Sequence, residues 1–497
     1  MMSSWQSRSL GAGDPHLAHD DGNLNVFRNG DPARPFKYKG DWFVVLGAGK
    51  NVTTTYAPMS VPCELCKNPW IQGELRLYKA QDANLTDWRF VNTIFATNKT
   101  VGEWAARLPN ADGSGDVRSV ANMFECPDFF PIGDRWMFIT SKIFQGHRWV
   151  TGGNHHWDEY YIGTFDGRTF TPDKLEWSTG VLDYGYVAAG KTGGNAANDP
   201  MGRRVFFGWN MPWSRQGWKD GKQSEGPWLG RRLKETSDDP LPVWPVIEAF
   251  GSQVLPRDLS LFPDGTLKMV PAAELSSLRK PPSAATHYHG AALKRSVACT
   301  GVKGTQLELN FTISAGTGAA AGASVSVMAS PDGRERTLIG CNHTHLIVNQ
   351  MNSTLTPDLT PEQLASVTFF WNNAAVSNLT ILYAPLPKRA THNIRVFLDG
   401  YNVEVFADER VAITTNVFPV LSDATCVGVD ITSAAAEVSS LDVWTLNPAP
   451  ITGVPYASAH KSDDKAALDS SGRCSTGTSA GVSALRSASR ATPSAST

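Results

Sequence analysis

Phe124-Glu125-Cys126-Pro127-Asp128-Phe129-Phe130-Pro131, followed by the turn Gly133-Asp134 and the alternating run Arg135-Trp136-Met137-Phe138-Ile139-Thr140, decides how the rest of the chain is read. It sets a carboxylic acid beside a thiol, then a proline that interrupts regular pairing, then an aromatic run. The Gly-Asp turn and the period-two alternation after it predict a second strand folding back on the first. A carboxylate placed by such a turn at the mouth of a strand is positioned for acid/base chemistry. The plainer reading of the same residues is a Glu that caps a loop and a Cys that fills a core.

The strand-turn-strand pattern recurs on both sides. Asp41-Trp42-Phe43-Val44-Val45-Leu46-Gly47, then Gly73-Glu74-Leu75-Arg76-Leu77-Tyr78-Lys79 and Asp87-Trp88-Arg89-Phe90, precede it. Glu159-Tyr160-Tyr161-Ile162-Gly163-Thr164-Phe165 and Phe170-Thr171-Pro172-Asp173 complete the round that it opens. A third round runs from Tyr184 to Trp209 and a fourth from Gln253 to Val270, with the turn Pro263-Asp264-Gly265 inside it. Repeated small antiparallel sheets are the pattern of propeller blades, and about four are expected here. A sandwich is the competing all-β answer, but its strands show less self-similarity.

Ala272 to Arg279 reads as a helical piece ended by Pro281-Pro282. Beyond it, period-two runs at Gln306 to Ile313, Ala323 to Met328, Thr391 to Leu398, Asn402 to Phe406, Val411 to Phe418 and Leu441 to Leu446 predict a second all-β unit, a sandwich, with Asp399-Gly400 as a hairpin turn. The expected organisation is a propeller over 1–271, a helical linker over 272–284, a β-sandwich over 285–449 and a disordered Ser/Ala-rich tail over 450–497.

Composition narrows the partners. The 497 residues carry 45 Lys and Arg against 47 Asp and Glu, a net charge of −2 that gives no global field for nucleic acid or an anionic membrane. No apolar run is long enough to cross a bilayer, so no membrane partner is expected. The 16 Trp suit sugar platforms as well as core filling. No phosphate loop, nucleotide motif or metal constellation appears, so no cofactor or metal is expected. Cys63-Glu64-Leu65-Cys66 has metal or redox spacing, but lacks the second pair or His that a zinc site needs. Cys299 and Cys341 are candidates for a bridge within one sheet, with connectivity left open. Asn-X-Ser/Thr triplets at Asn51, Asn84, Asn98, Asn310, Asn342, Asn352 and Asn378 suggest a glycoprotein of the secretory route, although the first residues lack the apolar core of a signal peptide.

With both halves placed, the chain resembles glycoside hydrolase family 32, the invertases, fructan hydrolases and related fructosyltransferases. The resemblance runs from about Arg28 to Leu446. Glu-Cys-Pro-Asp at 125–128 is its most specific part, supported by Tyr160 to Gly167, Leu182-Asp183-Tyr184-Gly185, Arg203 to Trp209, Leu255-Pro256-Arg257-Asp258-Leu259 and Val403-Glu404-Val405-Phe406. It implies a five-bladed propeller bearing the site, followed by a β-sandwich. It also implies cleavage of β-fructofuranosyl bonds of sucrose or fructan oligosaccharides, and a secreted or vacuolar location.

The resemblance assigns roles residue by residue. Glu125 becomes the general acid/base, its pKa raised by an apolar wall of Phe124, Phe129 and Phe130. A second carboxylate about 5 Å away across the sugar acts as nucleophile and gives retention. Cys126 and Asp128 hold Glu125, or else serve simply as packing and a turn cap. Asp31-Pro32 is similar to the family's Arg-Asp-Pro motif, whose carboxylate steadies the transition state. Gly30 stands where Arg is usual, and Arg28 lies two residues early. Trp104 is a possible sugar platform or a core Trp. His156, between His155 and Trp157, lies near the acceptor-sugar side or in a solvated loop, and Asp183 is expected at the pocket mouth.

The family's nucleophile sits in an Asn-Asp-Pro-like motif at the start of its first blade, whereas only 30 residues precede Asp31 here. Asp14-Pro15-His16 lies too close to Asp31 to open a separate blade, so the nucleophile is not assigned. An incomplete gene model or a fragment is the expected reason. Alternatives are a fructosyltransferase, a fructan-binding protein without a nucleophile, or an unrelated five-bladed arabinan or xylan hydrolase. The particular fructoside and the oligomeric state stay open.

Overall fold

The computed structural model describes residues 26–52, 70–96, 107–109, 116–118, 123–143, 156–185, 187–193, 202–210, 218–219, 222–223, 252–282, 285–289, 293, 295–314, 322–355, 381–417, 419 and 421–449. The chain divides into two units, Met1–Asn447 and Pro448–Thr497, and every element below belongs to the first. The expected tail over 450–497 lies outside the described residues, as does the Cys63–Cys66 pair.

Three antiparallel sheets follow one another in the first half. The first joins Val26–Pro32, Phe36–Tyr38, Asp41–Val52, Trp70–Ala80 and Trp88–Ala96. The second runs from Met123–Ile132 through Arg135–Ile143 to His156–Phe165, which also pairs with Phe170–Pro172 and Thr179–Val181. The third is built from Val187–Gly193, Arg204–Asn210, Ser252–Gln253, Arg257–Leu261 and Leu267–Pro271. The expected third and fourth rounds are therefore one sheet. Arg204 to Phe206 pair directly with Leu259 to Arg257, so two strand pairs distant in sequence complete a single blade-like unit. Among the described residues the first half contains three such sheets, with two short two-stranded pairs beside them.

Each sheet is held to the next by side chains that alternate across its strands. Between the first and second sheets the filling is aromatic. Phe95, Phe124, Phe129, Phe138, Tyr161 and Phe165 are buried together there, with Phe95 and Phe124 stacked and Phe124 edge-on to Phe138. Between the second and third sheets it is mostly aliphatic, with Ile132, Met137, Ile139, Ile162, Leu182, Val187 and Phe206. The approach on the first side is close enough to require a glycine. A Cβ built on Gly47 would overlap the carbonyl oxygen of Phe124.

The second half is a two-sheet sandwich. One sheet runs Ala285–His289, Val438–Thr445, Gln306–Ser314, Thr391–Asp399, Asn402–Ala407, Val411–Asn416. The other runs Ile381–Pro385, His345–Asn352, Arg336–Cys341, Ala323–Ala329, Cys426–Ile431. Leu307, Leu309, Phe311 and Ile313 face inward from the first sheet onto Val325, Val327, Ile339 and Val348 of the second. The hairpin after Asp399 turns on Gly400, whose φ of 61° favours a residue without a Cβ. The expected helical piece is a 3-10 helix, Ala273–Leu278. Cys299 is bonded to Cys426, not to Cys341, which is a buried free thiol. The bridge ties the segment before the first long strand to the edge strand of the opposite sheet, a partner that spacing alone does not reveal.

Phe397, Phe406 and Ala412, on the outer face of the six-stranded sheet, are buried against the third propeller-type sheet. At that junction Arg257, fully buried, donates to Asp183 at 2.8 Å, to Glu404 at 2.9 Å and to Thr414 at 2.8 Å. A buried charge without partners costs several kcal/mol, so these contacts fix where Arg257 can sit.

Gly47→Ala is expected to lower unfolding free energy by about 3 kcal/mol, because the added methyl meets backbone rather than a side chain that can swing away. Urea denaturation of the variant checks this, and a change under about 0.5 kcal/mol, the size of an ordinary surface substitution, would mean that the first two sheets do not meet at Phe124.

Candidate active site

Three strands form the inner edges of the three sheets: Val26–Pro32, Met123–Ile132 and Val187–Gly193. The middle one has Cα atoms within 8 Å of both others. Each carries the same irregularity. In the first, Asn29 faces Ala48 and Pro32 faces Leu46, so Gly30 and Asp31 stand opposite the single residue Gly47. In the second, Glu125 faces Ser141 and Asp128 faces Ile139, so Cys126 and Pro127 stand opposite Thr140. In the third, Ala188 faces Trp209 and Lys191 faces Phe207, so Ala189 and Gly190 stand opposite Gly208. A one-residue bulge bends its strand and re-aims the side chains around it, and bulges concentrate beside active sites.

The backbone pays a conformational cost at two of these bulges. Cys126 has φ 46° and Ala189 φ 55°, both in the left-handed region that residues with a Cβ avoid. Surrounding hydrogen bonds hold them there. Thr140, opposite the second bulge, donates its hydroxyl to the Glu125 carbonyl at 2.9 Å. Asp128 accepts both the backbone N–H of Thr192, at 2.7 Å, and its hydroxyl, at 2.6 Å. Lys191 donates to the Pro127 carbonyl at 2.6 Å. The Glu-Cys-Pro-Asp segment is thus tied to the third inner strand at two successive residues.

The third bulge is held by side chains from deeper in the second sheet. Asp158 is fully buried. It accepts the Ser141 hydroxyl at 2.5 Å and the Gly190 N–H at 3.0 Å. Ser141 in turn accepts the Ala189 N–H at 2.7 Å. A Cβ on Gly190 would collide with the Asp158 carboxylate and the Phe206 ring, so the glycine is what admits the carboxylate. Burial raises the Asp158 pKa to about 6, against the opposing pull of the Ser141 and Gly190 hydrogen bonds. Glu159, next in sequence, faces the other way and accepts the Tyr161 hydroxyl at 2.8 Å.

The residues named from the sequence fall in different places. Glu125 is half-buried and Asp128 buried, on one face of the inner strand. Asp31 and Arg28 lie on the first inner strand, whose neighbour Gly47 abuts Phe124; their side chains, and that of His156 on the His156–Phe165 strand, lie outside the described residues, as does Trp104 entirely. Asp183 is not at a pocket mouth. It is fully enclosed at the junction with the sandwich, bound by Arg257, by the Thr414 N–H at 2.8 Å and by the Thr414 hydroxyl at 2.6 Å. The expected apolar wall for Glu125 is also revised. Phe124, as the adjacent residue, and Phe129, shifted by the one-residue bulge at Cys126-Pro127, belong to the aromatic layer on the opposite face, and only Phe130 shares the Glu125 face. On the Glu125 face the ladder places Ser141 directly opposite, and Asp158 directly opposite Ser141.

Sequence reading missed Asp158 and Glu159. The signal was present, since two adjacent acids sit inside the otherwise apolar run Trp157 to Ile162, and a buried acid inside such a strand is uncommon enough to ask about.

Because the folded-state pKa of Asp158 lies above the ordinary carboxylate value of 3.8, the folded protein binds this proton more tightly than the unfolded chain. Its contribution is therefore most favourable below pH 4 and is lost as pH rises through 6, on the order of 2–3 kcal/mol in all. Urea unfolding of the chain and of Asp158→Asn at pH 4, 5, 6 and 7 checks the sign: the difference between them is expected to shift in favour of the variant as pH rises.

Comparisons with known proteins converge on one assignment. The glycosyl hydrolases family 32 N-terminal domain matches residues 66–230, and the family 32 C-terminal domain matches residues 274–445. A sucrose-6-phosphate hydrolase of Zymomonas mobilis is 29% identical over 210 residues, 42% of this chain and 31% of that protein. The chain thus spans about a third of the length of the curated relatives that it matches. Among solved structures, fructan 1-exohydrolase IIa of Cichorium intybus in complex with 1-kestose superposes with a TM-score of 0.55 at 16% identity, over 85% of this chain and 72% of that one. Exo-inulinase of Aspergillus awamori gives 0.52 at 19% identity, over 85% and 67%. Both structural likenesses speak to the fold, a β-propeller followed by a β-sandwich. Two domain models that together span most of the chain, in the order the sheets require, settle the assignment: the chain belongs to glycosyl hydrolase family 32.

Proposed function

We propose that the inner edge of the three propeller-type sheets is a fructosyl site, and that Glu125 is its general acid/base in cleavage of the β-fructofuranosyl bonds of sucrose or fructans. The observation that carries the reading is the Glu-Cys-Pro-Asp bulge, clamped to the third inner strand and lying beside the strand of Asp31. A general acid must stay within about 3 Å of the oxygen that it protonates. A bulge fixed on both sides supplies that rigidity where a free loop does not.

Glu125 protonates the glycosidic oxygen as the leaving sugar departs, then takes a proton from the water or sugar hydroxyl that resolves the intermediate. Asp31 carries a carboxylate to the fructosyl hydroxyls, an electrostatic and positional role. Retention requires a second carboxylate as nucleophile about 5 Å from the first. That residue is not assigned in this chain. A hydrolase and a fructosyltransferase differ only in whether water or a sugar accepts the fructosyl group. A second reading is a fructan-binding protein that keeps Glu125 and Asp31 as hydrogen-bonding groups.

Fructose release from sucrose and from 1-kestose, measured beside calorimetric binding of 1-kestose, separates these readings. The chain is expected to bind the fructoside and to turn it over slowly, and Glu125→Gln to lower turnover by about 10²- to 10⁴-fold with binding kept. Binding with no turnover in either protein favours the binding protein. Fast turnover that survives Glu125→Gln would refute the role given to Glu125.

A further inference from the structure

Glu125, Ser141 and Asp158 stand directly opposite one another on three neighbouring strands and so share one face of the second sheet. Only Glu125 has a role in the proposed chemistry. Asp158 is wholly enclosed, and enclosing a carboxylate is costly unless its oxygens are satisfied. Here each oxygen is: one by the Ser141 hydroxyl, the other by the Gly190 amide. Ser141 passes the link on to the Ala189 amide. One acid and one hydroxyl thus hold both amides of the third inner bulge against the Arg135–Ile143 and His156–Phe165 strands, in the sheet that carries Glu125.

We propose that Asp158 is a positioning residue for the reaction assigned above: through Ser141 it fixes the third inner strand against the sheet that carries Glu125, and in its ionised form it couples electrostatically to Glu125. The inference rests on the reading of Glu125 as acid/base. Of the expected apolar wall, Phe124 and Phe129 lie on the other face and only Phe130 shares the face of Glu125, where Asp158 adds a like charge once it ionises.

The charges around the row are of both signs. Asp183 repels Asp158, and Lys191 attracts it. Asp128 stands on the same face as Glu125, and Arg204 lies close enough to Asp128 to interact with it. Two ladder steps separate Glu125 from Asp158, about 10 Å, and at that spacing one carboxylate raises another's midpoint by about one pH unit at an effective dielectric constant near 20. Lys191, bonded to the Pro127 carbonyl, offsets part of this, but it is present in both protonation states of Asp158.

The test reads Glu125 directly in the full chain, by carbon-detected NMR of labelled glutamate carboxyls, with Glu125→Gln to assign the resonance. In Asp158→Asn the inflection that Asp158 ionisation near pH 6 imprints on the Glu125 resonance is expected to disappear, and hydrogen exchange over residues 187–193 to quicken. Ser141→Ala, which keeps both charges, is expected to quicken exchange while keeping that inflection. An inflection that persists, or exchange that does not quicken, in a folded Asp158→Asn would overturn the proposal. Should that variant not fold, the wild-type Glu125 resonance decides, because coupled acids titrate together: a second inflection as Asp158 ionises supports the proposal, and a single simple curve overturns it. Neither measurement needs turnover, so a chain that shows the coupling but neither binds nor cleaves fructosides would leave the row intact and refute the functional reading alone.

Discussion

The candidate site depends on one constraint, the clamping of a bulged inner strand between two neighbours. On one side the backbone of Phe124 presses against Gly47 with no room for a methyl. On the other, Asp128 takes both donors of Thr192, and Lys191 takes the carbonyl of Pro127. The strand between cannot slide by one residue without exchanging its two faces, which would drive Glu125 into the aromatic layer and Phe124 out of it. Packing on the Phe124 side and hydrogen bonding on the Asp128 side therefore enforce the same register. That agreement holds a half-buried acid in place on a strand whose bulge residue has an unfavourable φ.

Under the proposed function, the bulges also give the Asp31 and Glu125 motifs, more than ninety residues apart counting from 31 to 125, a common structural setting. Each lies at a one-residue insertion in the inner edge strand of its sheet, and the third inner strand repeats the insertion with Ala189 and Gly190. Repetition of one local device in three successive sheets places each chemical motif at a comparable point along its strand. The deeper residues then specialise. Asp158 and Ser141 secure the third bulge, and Arg257 with Asp183, Glu404 and Thr414 anchors the third sheet to the sandwich.

Much of the fold was legible because strand alternation is a local property. Tyr160 to Phe165 and Gln306 to Ile313 read as strands and are strands. Pairing between segments distant in sequence was not legible. Arg204–Asn210 and Arg257–Leu261 look like separate rounds until their ladder is seen, and Cys299 gives no hint that its partner is Cys426. Within the site, Glu125 stood out by its motif. The side on which its neighbours fall did not, because a one-residue bulge resets the alternation that sequence reading counts on. Phe124 and Phe129 were expected beside Glu125 and lie behind it. Asp183 was expected at the pocket mouth, and its burial depends on Arg257 and Thr414, which arrive from remote segments.

The central claim is that the Asp31 and Glu125 strands bring their carboxyl groups to one fructose-sized space at the inner edge of the sheets. A crystal structure of Glu125→Gln soaked with 1-kestose tests it most directly. The account predicts a fructosyl ring at the three inner bulges, with residue 125 near the glycosidic oxygen and Asp31 on the ring hydroxyls. A ring bound elsewhere, or side chains of 31 and 125 pointing to opposite sides of the strands, would contradict it.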